Sequence, residues 1–510
     1  MVPGWEKVEV AAEFSLHCAD DSSMERLEAP VLLGPLDHTT QNFTPITVLF
    51  VYRREEPASG EELIPIERFR RALGRLLDYY PHLTGRIVMH EDNAPRIERL
   101  GAGATLVSAK CRGRLEAFEA VGGGDEVGSK PRLIVTNLSD GGNALLPPFD
   151  PSEEGKTRDP ILAVQHTRFA CGGVAIGICL RHIICDASGF FQLVRDLAAL
   201  YRGFRDLDEG KLADKNSVKL SKPPHIHSYR ADLHEMTPEK RQEALESQPA
   251  GFRLSGKSAT ATAAVDRVVP PPVIGRVLRF SSSELAALKA EANASNKGKP
   301  LSTFCALAAH LWKSIYRARV REARSLTSIE AAVHAPPQIL LSVDLRSRNQ
   351  LADMLPRYFP NAVFSPVLSV PAAQVLEAPL SVVAALIRDG TQPQEPAEML
   401  KALQWIAAQP DKRRVQPRYN YEQDGVFVTQ WSKFDMYRGS VFDVPPALVA
   451  QPFTPLSLYD GLVYLMATED QLRQSVSCSG ITTGSIDVSM ALSESVWTAL
   501  DQDADFRHHR

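Results

Sequence analysis

Val174-Ala175-Ile176-Gly177-Ile178-Cys179-Leu180-Arg181-His182-Ile183-Ile184-Cys185-Asp186-Ala187-Ser188-Gly189 is the stretch that decides the fold: an apolar strand runs into a histidine and an aspartate and then into a helix. With a two-residue side-chain period, Val174, Ile176, Ile178, Leu180 and His182 fall on one face of a predicted strand. Phe190, Leu193, Val194, Leu197 and Tyr201 recur at three- and four-residue spacing and predict an amphipathic helix packed on a core. Asp186 and the small residues Ala187, Ser188 and Gly189 form the turn between them.

A neutral imidazole held at such a junction can take a proton from an alcohol or amine near neutral pH, and an aspartate close behind can fix the loop that carries it. Acyl transfer is the reaction this suggests. The competing reading is a core histidine bonded to a backbone carbonyl, the commoner fate of an isolated histidine. Cys185 invites a covalent thioester mechanism, but its three-residue offset in an extended segment turns it off the His182 face and into the core.

The wider sequence weighs on the side of chemistry. Pro160-Ile161-Leu162-Ala163-Val164-Gln165 and Gly172-Gly173, followed by HxxxDAxG, resemble the central signature of the BAHD acyltransferases. Tyr80-Pro81-His82-Leu83-Thr84-Gly85-Arg86 is similar to that family's YPxLAGR passage, and Ser302-Thr303-Phe304-Cys305-Ala306-Leu307-Ala308-Ala309-His310-Leu311-Trp312 to its STxxALxAHxW helix. Val343-Asp344-Leu345-Arg346-Ser347-Arg348 resembles VDxRxR, and Tyr358-Phe359-Pro360-Asn361-Ala362 resembles YFGNA with Pro360 for the usual glycine. Gly484-Ser485-Ile486-Asp487-Val488 with Leu492 resembles the closing strand and helix. Counting from Thr429-Gln430-Trp431, the family's T-x-W, the DFGWG position falls on Ser440-Val441-Phe442-Asp443-Val444. That erosion is commonplace among fungal relatives, so a fungal-like member of the family is expected.

The resemblance implies an α/β fold of α+β layers: two chloramphenicol-acetyltransferase-like domains joined by a long crossover, with the active-site channel between them. It implies His182 as general base, with the Trp431 indole and the Thr429 hydroxyl near the oxyanion or acceptor. Asp186 is implied to turn away from substrate and pair with Arg346 first or Arg348 second, while Gly189 lets the turn pack close. Acyl-CoA is the implied co-substrate, with no tightly bound cofactor, and the acceptor is a hydroxyl or amine of a small specialised metabolite. Condensation domains with a carrier-bound donor share the fold but usually place a second histidine where Arg181 stands. A ligand-binding relative without catalysis is the third class, opposed by the intact His182, Asp186 and Trp431.

Composition is compatible with this. The 510 residues, 44% hydrophobic and 23% charged, describe an ordinary globular chain with a substantial core. A net charge of −4 gives no reason to expect nucleic acid or a membrane as partner. Glu6, Glu9, Glu13, Asp20 and Asp21 interrupt any apolar leader, and seven scattered cysteines fit reduced thiols, so a cytoplasmic monomer is expected. No metal site is expected, since His225-Ile226-His227 lacks completing ligands. Lys299, with Lys289 and Lys297, ahead of Ser302 and Thr303 at a helix N-terminus, is the expected seat of CoA phosphates.

The expected organisation is an N-terminal half over 1–205 and a crossover over 206–272. A C-terminal half follows over 273–510, with a segment near 425–445 packing on the first half. Residues 121–157 read as a surface insertion. Gly251-Phe252-Arg253-Leu254-Ser255-Gly256-Lys257-Ser258 matches a P-loop by letter, but no buried strand precedes it and Ala259-Thr260-Ala261-Thr262 opens no helix.

Overall fold

The computed structural model describes residues 7–508, apart from 41–43, 55–61, 92, 121–130, 151, 257–271, 296–297, 327–335, 347–350, 352–354, 393, 421–424, 474–475, 478–479 and 482–483. Its main strands are β1 (Val8–Leu16), β2 (Ile46–Tyr52), β3 (Ala104–Cys111), β4 (Leu162–Phe169), β5 (Val174–Leu180), β6 (Val273–Phe280), β7 (Gln338–Leu341), β8 (Val367–Ser369), β9 (Val426–Gln430), β10 (Leu448–Ala450), β11 (Leu462–Ala467) and β12 (Ile486–Ser493). They form two six-stranded sheets, ordered β1-β3-β4-β5-β2-β10 and β6-β12-β11-β9-β7-β8. Helices α1 (Ile66–Leu77) and α2 (Ala187–Asp208) cover the first sheet, and α3 (Ser282–Ala294) and α4 (Thr303–Leu326) the second.

Strand β5 sits inside the first sheet between β4 and β2 and is buried along its whole length, which explains its near-continuous apolar run. Val174, Ile176, Ile178 and Leu180 face the core under α1 and α2 with Phe69, Leu73, Phe190 and Leu197. Ala175 faces the other side, against Leu49, Val51, Leu138 and Leu145. That second core corrects the expectation for 121–157. Residues 121–130 lie outside the described residues, but Leu133, Val135, Leu138 and Leu145 are buried under the sheet. Between the short strand Arg132–Leu133 and the helix Glu153–Arg158 the segment runs through 3-10 turns without periodicity, so its burial left no pattern to read.

The crossover is not structureless. Pro238–Glu246 is helical, capped by the Thr237 hydroxyl on the Lys240 N–H, and Phe252–Leu254 pairs with Val415–Pro417 as a small ribbon. Lys257 and Ser258 of the P-loop match lie outside the described residues. In the second half the Ser281–Glu284 capping box forms, with both reciprocal bonds present.

After β9 the chain returns to the first half, where β10 pairs antiparallel with β2. Phe442 packs edge-on against Tyr52, Phe69 and Tyr201, and each such pair is worth about 0.5–1.5 kcal/mol beyond burial. The Asp443 carboxylate accepts from the Ile64 N–H at 2.7 Å and the Tyr201 hydroxyl at 2.8 Å. The eroded Ser440–Val444 stretch is therefore firmly seated by its own aromatic and carboxylate.

Candidate active site

His182 does not continue β5. The strand ends at Leu180, and the Ile184 N–H closes a turn onto the Arg181 carbonyl at 3.0 Å. Strand parity therefore does not aim the imidazole, and Cys185 is buried by the same turn, not by an extended offset. At the break the Arg181 guanidinium donates to the Gly155 carbonyl at 2.9 Å and stacks 4.2 Å over Phe149. His182 borders a cavity of about 330 Å³ between the halves. Thr44, Pro45 and Ile46 line it from the first half, and Phe427, Thr429, Trp431, Phe434, Tyr459 and Tyr464 from the second.

Burial lowers the His182 pKa, opposed by a hydrogen bond to its own backbone carbonyl, the nearby Asp186 charge and the Asn361 side chain. The ring is thus kept neutral and basic at ordinary pH. Its carbonyl oxygen accepts from the Thr40 hydroxyl at 3.1 Å and from Asn361 Nδ2 at 3.0 Å.

Asp186 faces away from acid–base work with both oxygens engaged. Oδ1 caps α2 by accepting from the Gly189 N–H at 3.1 Å, and Oδ2 accepts from Arg346 Nη1 at 2.9 Å and the Ala362 N–H at 2.7 Å. Arg346 also donates to the Tyr358 carbonyl at 3.0 Å and the Pro360 carbonyl at 2.5 Å. Pro360 suits that site because only its carbonyl is used. Burial works to lower the Arg346 pKa, but the Asp186 and Asp344 carboxylates hold it above its ordinary value. Arg348 lies outside the described residues. A Cβ on Gly189 would overlap the Phe359 carbonyl oxygen, so only glycine fits where the turn meets the second half.

Thr429 lies on β9 and Trp431 just past its end; both border the cavity. The indole packs edge-on between Phe191 at 5.7 Å and Tyr464 at 5.1 Å. The Trp431 backbone N–H donates to the Leu465 carbonyl at 2.9 Å; among the described residues, neither its indole N–H nor the Thr429 hydroxyl meets a protein hydrogen-bond partner.

Ser302, Thr303 and Lys299 are not brought to this cavity. The Ser302 hydroxyl caps α4 by accepting from the Cys305 N–H at 3.2 Å, and the Lys299 carbonyl accepts from Arg388 at 3.0 Å. Lys297 lies outside the described residues. Among the described residues no cluster of three metal-ligating side chains occurs, and no helix is long and apolar enough to cross a membrane.

Three lining or supporting residues escaped sequence reasoning. Lys433 borders the cavity with its ammonium 3.8 Å from Asp344 Oδ2, two positions beyond Trp431, a spacing that could have suggested it. Asp37 and Asn361 lie behind His182, far apart in the chain; Asn361 sat in a recognised motif, but Asp37 carried no signal.

Two six-stranded sheets, with a buried histidine at the wall of the cavity between the halves, fit the acyltransferase class that the family match defines. The Transferase family model matches residues 21–441, and the chain belongs to this family, the BAHD acyltransferases. Hydroxycinnamoyltransferase 2 of Oryza sativa subsp. japonica is 26% identical over 411 residues, covering 79% of this chain and 81% of that protein. A hydroxycinnamoyl-CoA:5-hydroxyanthranilate N-hydroxycinnamoyltransferase of Avena sativa is also 26% identical, over 79% of this chain and 82% of its own length. In fold, the chain resembles F. graminearum TRI101, solved with coenzyme A and deoxynivalenol, with a TM-score of 0.63 at 16% identity over 94% of this chain and 98% of the other. The chain is an acyl-CoA-dependent O- or N-acyltransferase with two chloramphenicol-acetyltransferase-like halves.

Proposed function

We propose that His182 is the general base and that Trp431 and Thr429 serve the oxyanion or acceptor. His182 takes the acceptor proton as the acceptor oxygen or nitrogen bonds to the thioester carbonyl carbon, whose electron pair moves onto oxygen. Collapse of this tetrahedral intermediate restores the carbonyl and breaks the carbon–sulfur bond. The imidazolium then returns its proton to the departing thiolate, releasing CoA. The observation that carries the reading is a neutral histidine sharing one cavity with two donors that no described residue occupies.

The aromatic wall of Phe427, Trp431, Phe434, Tyr459 and Tyr464 suits an aromatic acyl group, the kind named for the rice and oat relatives. Lys433 suits an acceptor bearing a carboxylate, as 5-hydroxyanthranilate does. Asp186, Gly189 and Arg346 support the loop without touching substrate. Seating CoA phosphates at Lys299, Ser302 and Thr303 belongs to the same proposal, as do halves at 1–205 and 273–510 with a crossover at 206–272. So do a monomeric state, a cytoplasmic location and a fungal-type subgroup.

Free-thiol release is followed over a panel of acyl-CoAs and acceptors, with Lys433→Met tested on acidic acceptors. Acceptor-dependent CoA release, lost in His182→Ala, supports the reading, whereas full activity in His182→Ala sinks it. Lys433→Met is expected to raise KM for acidic acceptors and leave neutral ones unchanged.

A further inference from the structure

His182 stands in a turn beyond the end of β5, and its own carbonyl is held from two sides. The His182 carbonyl accepts from Thr40 Oγ1 and Asn361 Nδ2, and both donors are buried. Asn361 leads back to the Asp37 carboxylate, and Thr40 sits one turn beyond it. The single Thr40 hydroxyl proton is shared between the His182 carbonyl and the Asp37 backbone carbonyl at 2.9 Å, a turn bond that does not use the Asp37 side chain. Asp37 Oδ1 accepts from the Asn361 N–H at 3.1 Å and from Nδ2 at 2.9 Å. An amide can turn over and present its oxygen, which would repel the His182 carbonyl. The Asp37 carboxylate removes that choice, because only Nδ2 can donate to it.

Asp37 is itself 1% exposed. Its other oxygen accepts from the Gly34 N–H at 2.9 Å, and the Ser228 side chain of the crossover also bonds the carboxylate. A carboxylate buried this deeply is costly unless its lone pairs are used, and here both oxygens accept from the protein. The bonds join three parts of the chain: the short helix Pro35–His38, the crossover at Ser228 and the second-half loop at Asn361.

We infer that Asp37 is a positioning residue for the acyl transfer: its carboxylate orients Asn361, which with Thr40 clamps the His182 carbonyl and fixes where the imidazole points. The inference rests on His182 being the base. A base displaced by about 1 Å loses on the order of 10²-fold in rate, so this clamp acts on kcat and not on substrate affinity.

The test compares Asp37→Asn, Asn361→Leu, Thr40→Val and Thr40→Ser with His182→Ala, measuring kcat, both KM values and thermal unfolding. Asp37→Asn places an NH2 against donors, Asn361→Leu deletes the amide at similar volume, and Thr40→Val keeps shape without the hydroxyl. We expect kcat to fall roughly 10- to 100-fold in these three with each KM within about two-fold, and Thr40→Ser to recover most of the rate lost in Thr40→Val. Should Asp37→Asn fail to fold, the Thr40 pair and Asn361→Leu decide alone. Wild-type kcat in the clamp variants beside a dead His182→Ala overturns the clamp and leaves the base in place. So does a Thr40→Ser as impaired as Thr40→Val, or a loss that follows KM or unfolding. An active His182→Ala removes the reading beneath it.

Discussion

Arg346 Nη1 lies 2.9 Å from Asp186 Oδ2, and these two residues, 160 positions apart, tie the turn carrying His182 to the second half of the molecule. Both side chains are largely buried, at 16% and 2% exposure. Such a pair gives little net stability over an apolar replacement, but removing one partner strands a buried charge. Arg346→Met is therefore expected to lose about 3–5 kcal/mol in urea unfolding. Asp186→Asn, which keeps a cap for the Gly189 N–H, should lose less. A loss under about 1 kcal/mol for Arg346→Met would mean the pair is not load-carrying.

Activity should persist below the usual imidazole range. Burial, the dominant cause, sets the His182 pKa below its ordinary 6.5, and the proton must be absent for base catalysis. The acid limb of kcat/KM is expected below pH 6.5, and a limb at or above 7 would show that another group governs it.

Stability should respond to acid through two further histidines. Burial lowers His82 to about 3 and His166 to about 4, so each is neutral in the fold and protonates more readily when unfolded. Their contribution is complete above about pH 6.5, where both states are neutral, and is lost as pH falls toward 3 to 4. Asp37 works the other way: burial raises it from 3.8 to about 6, so its contribution is present at low pH and lost on rising through that window. The two histidines span the wider range, and the sum is a loss in acid. Urea midpoints between pH 7 and 4.5 should fall, and the fall should be shallower in His82→Asn; an unchanged slope in that variant counts against His82.

The sequence made the chemistry legible where the structure is local. The β5 run, the α2 periodicity and the Asp186 turn are short-range patterns, and they stand where expected. Arg346 was reachable only because a motif resemblance linked distant segments. The course of the chain after Leu180 was not legible, because neither the Arg181–Ile184 turn nor the tertiary bond from Arg181 to Gly155 leaves a local period. Asp37 was invisible for the same reason: a lone aspartate in Gly34-Pro35-Leu36-Asp37-His38 reads as an exposed helix-start residue, and only the fold brings Asn361 and Ser228 against it. Residues 131–150 misled in the opposite sense, since glycine and aspartate there suggest solvent while their leucines fill a core.

Gly189 should tolerate no side chain. Its N–H bonds Asp186 and its Cα faces the Phe359 carbonyl, where a methyl group has no room and backbone cannot swing aside. Gly189→Ala is expected to destabilise by roughly 1–3 kcal/mol, as overpacking does, and to lower kcat by shifting the His182 turn. Full stability with full activity would show that the two halves can part at this point without consequence.

Trp431 separates packing from chemistry in one substitution. Trp431→Phe retains an aromatic ring between Phe191 and Tyr464, so the fold and the thermal midpoint should hardly change. What disappears is the indole N–H, which meets no described protein acceptor and borders the same cavity as His182. If that N–H stabilises the oxyanion, its loss falls on the transition state more than on bound substrate. The expectation is a kcat lower by about 10²- to 10³-fold with little change in either KM. Thr429→Val should lower kcat less and also raise the acceptor KM, because a hydroxyl that serves the acceptor is felt there as well. A Trp431→Phe enzyme with unchanged kcat would return Trp431 to the role of a core aromatic and leave His182 to work without it.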